Sequence, residues 1–298
     1  DYFCGVGAWW IREFGIDGWR LDVMDEISDD FLRAFRRAVK AANPDALILG
    51  EAWHDPRAWL AGDELDGVMN YPLRRGILSF VRDGDAGALA AVLSELWASY
   101  PTPVCHTLMN LLSTHDTERV LTALAGAPDD GTRDNDALCR ARMSPVERRR
   151  GLLLLRMAAL IQYTVFGVPS VFYGDEAGMQ GFEDPFNRGT YPWGRENAEL
   201  VQYFQQLGAL RKAHEALQSG TIVYHAAQGR ALAFSRRTEH DHCLTAVNAG
   251  DEPVTLTLPW DGTLAEDALS HQEFFCGNGL LRLTLEPYGT MLLTQPQE

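Results

Sequence analysis

The sequence is short of positive charge, of paired cysteines and of long apolar runs, and each shortage removes a class of function. Lysine and arginine number 26 against 41 acids, a formal net charge of -15, and such a surface repels nucleic acid and anionic membrane alike. Neither is expected as a partner. The five cysteines, Cys4, Cys105, Cys139, Cys243 and Cys276, are odd in number, and none sits at CxxC or zinc-finger spacing. They read as buried or free thiols in a reducing compartment. With no basic region and apolar leader at the start, the expected location is cytoplasmic. No metal and no cofactor is expected. The longest apolar stretch, 151–166, contains Arg156 and Gln162 and reads as a core helix rather than a membrane span. Internal repeats and low-complexity segments are missing as well. The first residue is Asp1 rather than Met, as expected of a processed chain or a piece of a longer one.

What is present is a core-forming composition, 46% hydrophobic over 298 residues, enough for one large domain and a small one. The stretch GIDGWRLDVMDEI (15–27) organises the rest. Val6, Trp9, Trp10, Ile11 and Phe14 recur at helical spacing, so an amphipathic helix ends at Gly15 and delivers the chain into a strand. In that strand Arg20 and Asp22 are two apart and leave by the same face. The pair reads equally as a structural ion pair or as a carboxylate nucleophile held in place by a guanidinium.

Ser28 can cap a helix with Phe31, Leu32, Phe35, Ala38 and Val39 on its apolar face, and Asn43 and Pro44 stop it. A short strand at 47–49 then ends at Gly50 and Glu51, completing a strand–helix–strand unit of the kind that makes parallel sheets. The rhythm continues with a strand at 67–70, a helix at 86–100 and a strand at 107–112. An excursion at 129–145 precedes a long helix at 145–166, a strand at 169–173 and a helix at 197–214. From 219 the texture changes to alternating strands separated by Gly229, Gly250 and Gly289, an antiparallel β domain.

Three acids, Asp22, Glu51 and Asp116, thus stand at the ends of parallel strands, the face that carries the active site of a β/α barrel. Asp22 and Glu51 are 29 residues apart, one strand–helix–strand unit, and should lie on neighbouring strands. Two carboxyls in such proximity can act as nucleophile and acid/base in retaining glycoside hydrolysis. Ala52 and Trp53 beside Glu51 suggest an apolar setting that keeps it protonated.

The motifs DGWRLDV (17–23), GEAWHD (50–55) and LLSTHDTER (111–119) resemble the second, third and fourth signatures of the α-amylase family of glycoside hydrolases. In detail they are similar to its neopullulanase, cyclomaltodextrinase and maltogenic amylase branch. GVPSVFYGDEAGMQG (167–181) and DPFNRGTYPWG (184–194) resemble the last barrel strand and the loop after it. The resemblance implies Asp22 as nucleophile, Glu51 as general acid/base and Asp116 as the third acid, which grips sugar hydroxyls. Arg20 would orient Asp22, and His115, Trp53, His54 and Glu26 would contact an α-glucan oligosaccharide. Asp25 precedes Glu26 where the branch carries Asn, which leaves open the balance of hydrolysis and transglycosylation. Asp175 and Glu176 match the family pattern, and for them loop anchoring is expected.

The implied fold is α/β: a partial (β/α)8 barrel, strands four to eight, over 1–218, followed by a small antiparallel β-sandwich over 219–298. The family's first signature is nowhere in the chain, so we expect the C-terminal part of an amylase-type enzyme with open barrel edges. Association through those edges, or a homo-oligomer, is expected. The implied activity is cleavage of α-1,4-glucosidic bonds in maltooligosaccharides, cyclodextrins or related α-glucans, weak or absent in the truncated chain alone. The alternative is a catalytically silent amylase-like fragment that binds or scaffolds. A phosphate-handling barrel lacks its Gly-rich cradle.

Overall fold

The computed structural model describes residues 1–126, 131 and 134–296. In chain order it begins with helix α1 (Tyr2–Phe14), strand β1 (Gly18–Leu21), α2 (Asp29–Ala42), β2 (Leu47–Gly50) and β3 (Gly67–Val68). Helices α3 (Tyr71–Asp83), α4 (Ala86–Ser99) and α5 (Thr102–Thr107) precede β4 (Met109–Leu111). Then come α6 (Val120–Ala125), α7 (Asn135–Arg140), α8 (Pro145–Thr164), β5 (Val168–Ser170), α9 (Ala198–Ala213) and α10 (Glu215–Ser219). The last part is all β: β6 (Thr221–Gln228), β7 (Ala231–Arg237), β8 (His242–Asn248), β9 (Val254–Pro259), β10 (Leu264–Asp267), β11 (Glu273–Phe275), β12 (Leu280–Leu285) and β13 (Thr290–Thr294). The expected excursion at 129–145 lies partly outside the described residues; its later part contains α7 and the start of α8. The chain forms two compact units, one of Asp1–Tyr71 with Ser94–Asn110, the other of Pro72–Leu93 with Leu111–Glu298.

In the first unit Gly15 takes the left-handed backbone at φ 62 and donates its N–H to the Ile11 carbonyl, which ends α1 and turns the chain into β1. β1 and β2 pair in parallel from Gly18↔Leu47 to Leu21↔Gly50, and β2 continues in parallel to β3. A side chain at position 18 would place its Cβ 2.1 Å from the Leu47 carbonyl oxygen, so this close strand approach requires glycine. Helix α2 is the crossover and buries Leu32, Phe35 and Val39, the 3.6-residue stripe that the sequence shows.

Helix α1 differs from expectation. It buries Gly7, Ala8 and Ile11, whereas Trp9, Trp10 and Phe14 are exposed. The reason is steric: a Cβ on Gly7 would lie 2.5 Å from the Phe35 ring, so α1 meets α2 through its small residues and the large rings are turned away. Those three rings pack on one another at centroid separations of 4.6–5.3 Å.

In the second unit α8 starts from a capping box in which Ser144 and Glu147 bond each other's backbone N–H. It is buried along most of its length after Gly151, and among the described residues no helix is long and apolar enough to cross a membrane. Two arginines collect carbonyl oxygens at helix C-termini. Arg211 donates to Tyr163, Gly167 and Leu217, and the fully buried Arg236 to Thr164, Leu217 and Gly220. The negative ends of α8 and α10 thereby offset these cations. Burial still pushes Arg236 down to about 9.

The β part is a sandwich. One sheet has the order β11-β10-β13-β8-β7-β6, and β9 pairs with β12 in the other. Its core joins Ala233, Leu244, Ala246 and Leu293 from the first to Leu258, Leu281, Leu283 and Leu285 from the second, with Trp260 fully buried. All five cysteines are free.

Candidate active site

Parallel pairing sets the first cluster. Asp22 and Glu51 are the residues that follow Leu21 and Gly50, the last paired rung of β1 and β2, and neighbouring strands lie about 4.8 Å apart. The ladder is closed there by Glu51 N–H on the Leu21 carbonyl at 2.9 Å. Arg20, on the ladder one residue earlier, turns its guanidinium to both acids: Nη1 bonds Asp22 Oδ1, and Nη2 lies 3.0 Å from Glu51 Oε2. One planar cation therefore fixes two carboxylates, a geometry that lysine does not reproduce. The Asp22 side chain is 74% exposed and that of Glu51 only 5%.

Glu51 is not in the apolar setting expected from Ala52 and Trp53. Besides the Arg20 contact, Oε2 accepts the Val23 N–H at 3.1 Å and Oε1 accepts the Trp53 indole N–H at 3.2 Å. The tryptophan turns its polar edge, not its face, to the carboxylate. Its face is stacked on Tyr71, with centroids 3.8 Å apart and planes at 19°. Val23 has φ 42, a left-handed conformation that a β-branched residue adopts only under constraint, and it is this bend that aims its N–H at Glu51. His54 and Glu26 are exposed.

The second unit holds His115 and Asp116, with His115 Nε2 3.2 Å from Asp116 Oδ2. Arg188 places Nη2 3.6 Å from the other Asp116 oxygen and Nε 2.5 Å from Asp184. The loop that carries His115 and Asp116 is gripped from a distant segment: the buried Asn187 amide donates to the carbonyls of Thr114, His115 and Thr117 at 3.2, 2.9 and 2.7 Å. The Asn187 carbonyl in turn accepts from Arg119 Nε at 2.8 Å. Arg119 is fully buried, pairs with Asp175 at 3.2 Å and lies over the Phe172 and Tyr173 rings. Ser113 Oγ bonds the other Asp175 oxygen. Burial pushes the Asp175 carboxyl up to about 6, with Ser113 and Arg119 opposing. Asp175 anchors a loop rather than presenting a reactive oxygen.

The structure thus assembles Arg20, Asp22, Glu51 and Trp53 in one unit and His115 with Asp116 in the other. Tyr71, Asn187 and Arg188 were not singled out by the sequence reading, although Asn187 and Arg188 both lie inside the quoted DPFNRG stretch. Among the described residues no metal cage surrounds these acids.

Comparison with known proteins supplies the family. The description "Alpha amylase, catalytic domain" matches residues 2–193 and "Maltogenic Amylase, C-terminal domain" matches 223–292. The chain belongs to the alpha-amylase family. A cyclomaltodextrinase of Geobacillus thermopakistaniensis (strain MAS1) is 38% identical over 299 residues, covering 98% of this chain and 47% of the relative. Neopullulanase 2 of Thermoactinomyces vulgaris is 37% identical over 302 residues, with the same two coverages, 98% and 47%. A solved cyclomaltodextrinase superposes with a TM-score of 0.83 at 35% identity, covering 99% of this chain and 48% of that one. The chain spans about half the length of the curated relatives it matches. An alpha-amylase catalytic domain joined to an all-β C-terminal domain is the architecture that these matches support.

Proposed function

We propose that the protein to which this chain belongs is a retaining glycoside hydrolase that cleaves α-1,4-glucosidic bonds of maltooligosaccharides, cyclodextrins or related α-glucans. The observation that carries the reading is the Arg20 guanidinium holding Asp22 and Glu51 side by side at neighbouring strand ends. In the first step an Asp22 oxygen attacks the anomeric carbon while Glu51 protonates the departing glycosidic oxygen. In the second, Glu51 takes a proton from water, whose oxygen attacks the same carbon and releases Asp22. With N–H donors on both of its oxygens, Glu51 is arranged for the second step. The transition state carries positive charge on the sugar, which carboxylates stabilise; for Asp116 we propose the family's third role, on sugar hydroxyls, with His115 beside it. Trp53, His54 and Glu26 remain our candidates for glucan contact.

The same reading takes 1–218 as barrel strands four to eight and 219–298 as a separate β domain. Strand β1 is the outer strand of its sheet among the described residues, and we propose that it pairs with further barrel strands or with a second chain. The free thiols support a reducing, cytoplasmic setting.

Incubation with a 5-fluoro maltosyl fluoride, which slows release of the covalent intermediate, followed by peptide mass analysis, tests the assignment. An ester on Asp22 that disappears in Asp22→Asn is expected. An ester on another carboxylate overturns the roles, and a full-length protein that neither forms an ester nor turns over glucan is the silent alternative.

A further inference from the structure

Three side chains that the proposed hydrolysis does not use converge in the second unit, where its last helices meet the β-sandwich. His214 is the residue between α9 and α10, Asp241 stands directly before β8, and Cys243 is the second residue of β8. One ligand atom from each, an imidazole nitrogen, a carboxylate oxygen and Sγ, all lie within 4.8 Å of one another. Nδ1 of His214 is 3.0 Å from Asp241 Oδ1. The other Asp241 oxygen accepts the Ala216 N–H at 2.9 Å, and the Asp241 N–H bonds Thr238 Oγ1 at 3.1 Å, so the carboxylate is clamped with one oxygen turned to the imidazole.

We infer that His214, Asp241 and Cys243 form a binding site for a zinc-like divalent cation that ties the start of α10 to β8. The donor set is one nitrogen, one oxygen and one sulfur, which suits a borderline-soft ion and not calcium or magnesium, whose ligands are oxygens. Zinc bonds of about 2.0–2.3 Å in tetrahedral geometry place ligand atoms roughly 3.3–3.7 Å apart, so the 3.0 Å pair opens slightly and the 4.8 Å limit closes by about 1 Å. A helix cap and a hydrogen bond account for Asp241 and His214, but they give no reason for a thiol beside them.

Access and charge agree with the assignment. The His214 and Asp241 side chains are 12% and 21% exposed, which gives an ion a way in, and Cys243 lies buried beneath them. As the metal–sulfur bond forms, the Cys243 thiol proton leaves to solvent, and His214 binds through the lone pair of a ring nitrogen. Water completes the fourth position. Arg236, across the ladder from Cys243, turns its guanidinium to the Gly220, Thr164 and Leu217 carbonyls.

The site stands independently of the hydrolase reading, and so does its test. The chain is stripped with chelator and titrated with Co2+, followed by near-ultraviolet absorption, then competed with Zn2+. One equivalent of Co2+ with a thiolate-to-cobalt band, displaced by Zn2+, is expected. The band should vanish in Cys243→Ser, persist in Cys139→Ser, and need on the order of tenfold or more Co2+ in His214→Gln or Asp241→Asn. Zn2+ should raise the melting temperature of the wild type and not of the variants. If Cys243→Ser does not fold, the two milder variants decide. Failure of the wild type to bind one equivalent, or a band unchanged by all three ligand substitutions, overturns the inference.

Discussion

Arg20 and Arg119 both hold a carboxylate, and the difference between their surroundings separates the site proposed for chemistry from scaffold. Arg20 is part-exposed and shared between Asp22, which is open to solvent, and Glu51, which is not. Arg119 is sealed, with Asp175, two backbone carbonyls and two aromatic rings filling its shell. A reactive carboxylate needs an oxygen that a substrate can reach and a partner that keeps it fixed; Asp22 has both. Asp175 has only the second, because Ser113 and Arg119 occupy both oxygens. Residue type and proximity to arginine are the same in the two places, and accessibility divides them.

The largest effect that sharpens this contrast is on turnover. In the full-length protein Asp22→Asn and Glu51→Gln should each lower hydrolysis of a nitrophenyl maltooligosaccharide by at least about 10^4-fold. Asp22→Asn should shift unfolding free energy by no more than about 0.5 kcal/mol, since the side chain is exposed. Unfolding of Asp22→Asn at much lower urea than the wild type would assign Asp22 to the scaffold and break the comparison.

At the buried centre the order reverses. Asp175→Ala leaves Arg119 as a buried cation without its counter-charge, which should cost about 3–5 kcal/mol of stability in urea titrations. Any loss of turnover should then follow the folded fraction. A variant as stable as the wild type would mean that the carbonyls alone satisfy Arg119.

Asp175 also carries a pH signature. Its folded carboxyl lies at about 6, against about 3.9 in an unfolded chain. Between those values the folded protein holds a proton that the unfolded chain has released, so the stabilisation is complete below about pH 4 and is lost as pH rises through about 6. Two units correspond to about 3 kcal/mol. The difference in unfolding free energy between wild type and Asp175→Asn, measured across that window, should drift in that direction by up to this amount; a flat difference would mean that Arg119 and Ser113 balance burial, and a reversed drift that they outweigh it.

How much of this was legible follows the same division between local and distant. The strand–helix–strand spacing placed Asp22 and Glu51 on neighbouring strands, and the register of β1 and β2 agrees, because the pattern is local and punctuated by Gly15, Ser28 and Asn43. Helix α3 escaped notice because Gly76 interrupts its propensity; there a Cβ would lie only 3.1 Å from Leu89 on α4, so the glycine serves close packing. Strands β10 and β11 are four and three residues long, and Phe275 is exposed, which leaves little alternation to detect. The Asn187 grip and the meeting of His214 with Asp241 and Cys243 join residues 27 to 73 apart, and no spacing rule reports such encounters. Trp53 misled for another reason: composition says apolar, and only the structure reveals which edge of the indole meets Glu51.

That edge supports the smallest prediction. Trp53→Phe keeps a ring to stack on Tyr71 and removes only the indole N–H donated to Glu51 Oε1. A hydrogen bond to a charged group contributes about 1.5–3 kcal/mol, and the Val23 N–H and Arg20 remain on the other oxygen. The loss in kcat/KM should therefore sit at the lower end, roughly tenfold, with the melting temperature nearly unchanged. The split between kcat and KM distinguishes the two parts that the tryptophan can play. If the N–H positions Glu51, kcat should fall with KM little changed. If Trp53 is only a surface for the sugar, KM should rise while kcat stays in place, and Glu51 would then be held by Arg20 and Val23 alone.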